Sequence, residues 1–599
     1  MPQLFENGIF SVNDANGSVG VGWELNFYVA GTTTRLDTYP TLSDAEAQTN
    51  PNPNPVLSDA NGRFPPVWLV GGGYKVVLRD DTGVIKVSRE EFADAGDTAL
   101  NVTVGAAGDF ATINEALIWM GSRRRTFGPD ATASISLLSG FVMAEQVFAL
   151  DGMDLGWITI SSVDASVAVD HTAITEYIDT EDGIQPLFGA SHNSVLPIID
   201  VKFVYDSNTT SKEGVAVLFG SKVLFLPGAG VVKARNGLKV LYGSKAYCYM
   251  PGLTIGGGGT GAGTVTGVDF SYAANRALHV SYKSEAGLAR SDFSHSGGDY
   301  AVYCIWNSEI DIYQSNMTFS TGEAVLVRDG SNANARDCNV SDSLVGFHAL
   351  HCSYINARSR QPADVGYSTW IGDGAKRCGT CAVLASFSST IDAAALQADD
   401  NLSGRAINAS ECSTINFVGG TATNATTIAV AANSGSTINA EAADCSNAGT
   451  IGVFSDNAGS SVGFNAGIAN NCGTHGISAN NGGVVDALNA DLDDNPIGIE
   501  CSRTSVVNAR SASIRRATTI AVNAIEGGTV NAHTAVLSSA GTFGIVCRGG
   551  EVVAIQADCT LAGTTGVSVE YGGVVKFFGG TGTLSKAANA ITADGIIYQ

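Results

Sequence analysis

Residues 414–440 read TINFVGGTATNATTIAVAANSGSTINA, and the tripeptide Thr-Ile-Asn returns in it after 23 positions, at Ile415 and Ile438. The same short motif, an apolar residue followed by a small polar one and usually a small apolar one, recurs through the whole C-terminal half. Its first residue falls at Ile391, Ile415, Ile438, Val462, Val485, Val507, Val530, Val553 and Val575, in steps of 22 to 24. Backwards, the register reaches Ile355, Ala333 and Ile310 across one insertion of about 14 extra residues. Leucine-rich repeats have a similar period, but here no Leu pattern recurs, and Gly-rich turns such as Gly482-Gly483, Gly527-Gly528 and Gly572-Gly573 leave no room for a helix. Each repeat therefore reads as short β-segments joined by turns. One coil cannot bury its apolar face alone, whereas stacked coils share a core and pair their backbones with their neighbours. The period predicts an all-β chain built around a parallel β-helix, rising about 4.8 Å per coil.

Composition agrees with that reading. Of 599 residues 72 are Gly, which disfavours long helices, and only 15% are charged. The net charge of −24 opposes contact with phosphate backbones, so a nucleic-acid partner is excluded and membrane insertion is not expected. The opening MPQLFENGIF has neither a basic nor an apolar signal region, so no export signal is expected. Twelve scattered Cys read mostly as buried free thiols.

Residues 1–97 lack the period and read as a separate small β-domain, with GGGYKVVLRDDTGVIKV forming a hairpin. Residues 98–130 read as a linker and a capping helix, in which Asp109 caps a helix carrying Ile113, Leu117 and Ile118. Such a helix would close the open coil end, where strand edges are unpaired. Early irregular coils are expected over 131–270 and the regular β-helix over 271–599.

Three segments at the N-terminal end, GWELNFYVAGTTT (22–34), NPVLSDANGRFPPVWL (54–69) and GGYKVVLRDDTG (72–83), resemble the virion-anchoring domain of tailed-phage tail fibres and tailspikes. Gly31, Gly62, Arg63, Phe64, Pro65, Pro66, Tyr74, Lys75 and Val76 stand where that family's recurrent residues stand, over about a sixth of the chain. GDFATINEAL (108–117) is similar to the cap that opens pectin-lyase-like β-helices in phage spikes, and SGFVMAEQVFALDGMDLGWITISS (139–162) resembles spikes of phages or gene-transfer agents of alphaproteobacteria. The resemblance implies a right-handed, pectin-lyase-like β-helix in a homotrimer. It also implies a virion protein made in the host cytoplasm, held by residues 1–97 on a tail or head attachment protein, that recognises bacterial surface polysaccharide. Some members of that family cleave the polysaccharide, as a hydrolase or lyase. No cofactor is implied. Trimerisation would bring the net charge to −72, which works against strongly anionic glycans unless basic residues line the site.

Candidate chemistry lies between residues 282 and 313, YKSEAGLARSDFSHSGGDYAVYCIWNSEIDIY. Aligning Ser284-Glu285 with Ser308-Glu309 stacks the two glutamates one coil apart, and alternation sends Glu309, Asp311 and Tyr313 outward. One coil on, Asn332, Asn334 and Arg336 take neighbouring positions, followed by Asn356 and Arg358, which predicts one contiguous polar patch. Tyr300, Tyr303 and Trp306 would supply rings for stacking on sugars, and Tyr313, Asn334, Arg336 and Arg358 hydrogen bonds. Glu285, Glu309 and Asp311 are the candidate catalytic carboxyls, with Lys283, Arg290 or His295 as the base of a lyase instead. The same strip also reads as a solvated face or a trimer interface. Cys378-Gly379-Thr380-Cys381, with His348, His351 and Cys352 upstream, has irregular spacing for zinc, and packed thiols are the expected outcome, with no metal. Arg123, Arg124 and Arg125 read as a solvated basic run.

Overall fold

Stacking the repeat on itself puts like residues over like, and the burial pattern follows. The computed structural model describes residues 3–5, 12, 18–29, 32–70, 74–91, 99–121, 132–207, 211–248, 267–359, 374–581, 590–591 and 595–598. The chain separates into two units, Met1–Val102 with Glu115–Ser134, and Thr103–Asn114 with Ile135–Gln599.

The second unit is a parallel β-helix. One parallel sheet of 18 strands takes a strand from every coil, from Val147–Ala149 to Ala590–Ile591, and most of its strands are six residues long. A second parallel sheet takes three-residue strands such as Glu309–Asp311, Asn332–Asn334 and Tyr354–Asn356. A third face starts as four paired strands and thins to a single bridging residue per coil, as at Asp292, Asn316 and Asn339. Inward positions carry aliphatic ladders. Val302, Val325, Phe347, Val383, Ile407, Val430 and Val453 follow one another through the long-strand sheet, all fully buried.

The short-strand register runs Ile310, Ala333, Ile355, Ile391, Ile415, Ile438, Val462, Val485, Val507 and Val530, as the period predicts. At one coil the expectation slips. Val552, rather than Val553, pairs with Val530 and Val575 and is buried. Two adjacent valines satisfy a sequence pattern equally, and a one-residue slip exchanges core and solvent faces, so pairing decides between them.

Corners make the coil close. Most long strands pass to the next short strand through consecutive left-handed residues, among them Tyr242-Gly243, Tyr282-Lys283, Trp306-Asn307 and Asn481-Gly482. Just inside that corner runs a buried serine ladder, in which the amides of Ser284, Ser308, Ser389 and Ser413 donate to Oγ of Ser308, Ser331, Ser413 and Ser436 at 3.1–3.3 Å. Without the hydroxyls those turn amides would be buried unpaired.

The expected helix forms over Ile113–Gly121, but Asp109 does not cap it. The Asp109 carboxylate accepts instead from the amide and hydroxyl of Thr103, both at 2.8 Å. The first helical amides, of Ile113 and Asn114, donate to the two oxygens of Glu145. A carboxylate distant in sequence thus does the work of a local cap.

In the first unit, Val56–Leu57, Glu24–Val29, Tyr74–Arg79 and Ile85–Glu91 form an antiparallel sheet in that order, and the last two are the expected hairpin. Asp80 closes the hairpin turn, its Oδ1 accepting from the amides of Thr82 and Val84. Phe5, Trp23, Phe27, Phe64 and Tyr74 belong to one buried cluster.

Candidate functional site

The outer face of the short-strand sheet carries the expected strip. Glu285 lies beside Glu309, Glu309 beside Asn332, and Asn332 beside Tyr354, while Asp311, Asn334, Asn356 and Asp392 form the neighbouring column. Within that column the amides cross-link the coils. Asn334 Nδ2 donates to Asp311 at 3.1 Å and Asn356 Nδ2 to Asn334 at 3.3 Å. Arg358 pairs with Asp392, and Arg336 lies over the Tyr313 ring at 5.8 Å while approaching Asp337 at 3.5 Å.

The three candidate carboxyls are not equivalent. Burial pushes the Asp311 carboxyl up, with help from the charge of Glu309, against hydrogen bonds from the Tyr313 amide and Asn334 that pull it down. Glu285 goes the other way. Burial raises it, but hydrogen bonds from Lys245 and Tyr247 and the charge of Lys245, 2.8 Å away, outweigh that and leave it lowered. Glu309, two residues from Asp311 on the same strand face, is exposed. Repulsion between Glu285 and Glu309 is therefore not what creates an acid here. The carboxyl that its surroundings raise is Asp311, with the exposed Glu309 on the same strand.

The expected rings lie elsewhere. Tyr300 and Tyr303 sit on the outer face of the long-strand sheet, stacked at 4.9 Å with an interplanar angle of 10°. Trp306 occupies the corner, at the end of a ladder formed by His192, Phe219, Tyr242, Tyr282 and Trp306 with centroids 4.2–5.2 Å apart. Faces inside that ladder are covered by neighbouring rings, which leaves edges toward solvent. The strip's own ring, missed in the sequence reading, is Tyr354, 38% exposed in the Glu309–Asn332 column. Its position just before Ile355 in the repeat was the signal that could have found it.

Also missed was a group beside Tyr300 and Tyr303 on the long-strand face. There Lys239, His279 and Tyr303 follow one another in register, and Arg276 lies next to Asn236. The Arg276 guanidinium is 4.4 Å from the Tyr303 ring centroid and 5.5 Å from that of Tyr300. No sequence signal marked them, because residues 249–266 interrupt the period between Lys239 and Arg276.

His295, one of the lyase candidates, stacks between Tyr272 and Phe319, and Arg290 bonds Gln314. Lys283 is exposed in its corner. Cys378 and Cys381 are buried free thiols, and burial pushes the Cys381 thiol up to about 12. His348 faces Glu323 and His351 faces Asp329. Among the described residues no cluster of three metal-ligating side chains occurs, and no helix is long and apolar enough to cross a membrane. Of the anchor candidates, Phe64 and Tyr74 are core residues, whereas Arg63, Pro65 and Pro66 are exposed. Gly31 and Arg123–Arg125 lie outside the described residues.

No protein-family model matches the chain, and no curated protein matches its sequence. Among solved structures it is similar to the periplasmic alginate epimerase AlgG, at a TM-score of 0.23 and 8% identity over 73% of this chain and 84% of that one. A mutant of the same epimerase gives 0.26 and 8% over 72% and 84%. The A-module of the Azotobacter vinelandii mannuronan C-5 epimerase AlgE6 gives 0.13 and 10% over 78% and 91%. Likenesses at these scores carry no weight for substrate or chemistry.

Proposed function

We propose that the chain is a tail spike or tail fibre that attaches a phage or phage-like particle to bacterial surface polysaccharide. In this reading residues 1–97 dock on a tail or head attachment protein, the chain assembles as a homotrimer, and the β-helix meets the glycan. The observation that carries it is the strip from Glu285 to Arg358. Carboxylates and amides follow one another there from coil to coil along one outer face, with Tyr354 and the Arg358 guanidinium beside them. A linear polymer of sugars is a repeating ligand, and a row of repeating hydrogen-bonding groups with a ring beside it matches that periodicity. The test incubates the purified chain with host cells and their extracted polysaccharide. Saturable retention is expected, and its absence would leave a purely structural fibre.

A second reading, cleavage of the same polysaccharide, is favoured by the pairing of Asp311 with Glu309. A glycoside hydrolase needs one carboxyl that keeps its proton and one that is ionised. Asp311 is raised by burial and Glu309 is exposed on the same face. In that mechanism Asp311 protonates the leaving oxygen and Glu309 acts as nucleophile or activates water. Release of oligosaccharides, followed by mass spectrometry, should fall at least 100-fold in Asp311→Asn and Glu309→Gln while retention persists. Retention without any release would keep the attachment reading and remove this one.

A further inference from the structure

We propose that the outer face of the long-strand sheet around Arg276, His279 and Lys239 binds the carboxylate of an acidic sugar, making uronate-bearing polysaccharide the ligand class. This rests on the polysaccharide reading above and adds a second face to it.

Electrostatics on the page motivate it. At −24 the chain as a whole repels anionic polymers, so an acidic glycan needs a local concentration of cations. Arg235 and Lys239 on one coil, which share Glu213, and Arg276 on the next supply one. The carboxylates facing them are few. Glu213 is fully buried and already engaged, accepting from the amide and Nδ2 of Asn236 and lying 3.1 Å from Lys239 and 3.7 Å from Arg235. Glu323, beside Tyr300, is held by His348. Asp299 is exposed at the strand end next to Tyr300 and acts on Arg276 through its charge.

Arg276 is therefore left against two tyrosine rings with its Nε buried and without a hydrogen-bond partner among the described residues. Its terminal nitrogen is 3.5 Å from His279 Nδ1, which as the acceptor places the imidazole proton on Nε2. That Nε2 is also buried and unpartnered among the described residues. Burial, then the charges of Arg276 and Lys239, hold the imidazole well below its usual range, so it is a neutral donor at physiological pH. Two buried donors on one half-buried face, without an acceptor among the described residues, are costly to leave unmade. A carboxylate supplies the missing acceptors. Its two oxygens match the planar guanidinium fork, and the stacked Tyr300 and Tyr303 offer a ring edge for the sugar body.

The experiment compares retention of the full chain on immobilised polygalacturonate and on the same polymer after its carboxyls are reduced to alcohols. Binding is expected on the first, falling steeply with salt, and at least tenfold weaker on the second. Arg276→Gln should lose at least tenfold on polygalacturonate, Arg276→Lys less, and Arg503→Ala on a late coil nothing, with melting temperatures recorded for each. Equal binding to both polymers, or to wild type and Arg276→Gln, overturns the proposal. So does the absence of binding to polygalacturonate while host polysaccharide is still retained, which leaves the attachment reading standing. Retention on none of them overturns both.

Discussion

Coils from about 186 to 358 and coils from 374 to 581 share one backbone and differ in what they present. Inward, the two regions are interchangeable: Phe293 and Phe464 are both fully buried, and the same serine ladder and left-handed corners continue through both. Outward, they diverge. The corner that holds Phe219, Tyr242, Tyr282 and Trp306 on adjacent early coils holds Ser434, Asn457, Asn481 and Glu526 late, where Phe387 and Tyr571 stand apart from one another. On the long-strand face the cluster of Arg276, His279, Tyr300 and Tyr303 gives way to Ile428, Ala431 and Ile451, with Arg405 over Phe454 and His475 beside Glu500 as separate pairs. Stability of a stacked coil depends on inward size and on corners that tolerate a left-handed backbone, so outward positions are free to vary.

That contrast can be broken at its base. Phe293→Ala and Phe464→Ala should each cost about 3–5 kcal/mol, read from denaturant midpoints. A much smaller cost at Phe293 would mean that the early coils do not rest on the same core. Tyr282→Asn, which installs the late-coil type of corner residue, removes two ring contacts and should cost about 1–3 kcal/mol in thermal unfolding.

A third test uses pH, where the regions should respond with opposite sign. Asp311 is raised by burial, so its contribution is present in acid and lost as pH rises through its folded value. Asp311→Asn should match wild type at low pH and be the more stable of the two at neutral pH. Glu500 is lowered by its hydrogen bond to His475, with burial opposing and Asn523 assisting. Its contribution is present at neutral pH and lost as pH falls through its folded value, so Glu500→Gln should be the less stable at neutral pH and converge with wild type in acid. The smallest effect belongs to the exposed Arg503–Glu526 pair, where Arg503→Ala should change stability by about 0–1 kcal/mol.

Much of the frame was legible in the chain. The 22- to 24-residue steps identify the coils, and the alternation of Glu309, Ile310 and Asp311 predicts the short-strand strip that the pairing of Glu285, Glu309 and Asn332 then displays. Tyr300, Tyr303 and Trp306 were not legible as members of other faces. Their distance from Glu309 in sequence is short, but a left-handed corner between Trp306 and Asn307 turns the chain onto a new sheet. The first position of such corners takes Trp, Tyr, Ser, Asn and Glu alike, so where Gly is missing from the second, as at Trp306-Asn307, no residue type announces them.

By itself the sequence determined which residues face inward, because burial recurs with the period and an apolar ladder is satisfied only in one register. Where two valines adjoin, as at Val552 and Val553, even that needed the neighbouring coils. Only the tertiary structure decided which distant polar groups meet. Glu145 reaches the helix amides of Ile113 and Asn114, and Lys239, Arg276, His279 and Tyr303 gather on one face across an interruption of the repeat. Periodicity reports the spacing along the chain, whereas a site is set by which coils become neighbours and by how the corners aim them.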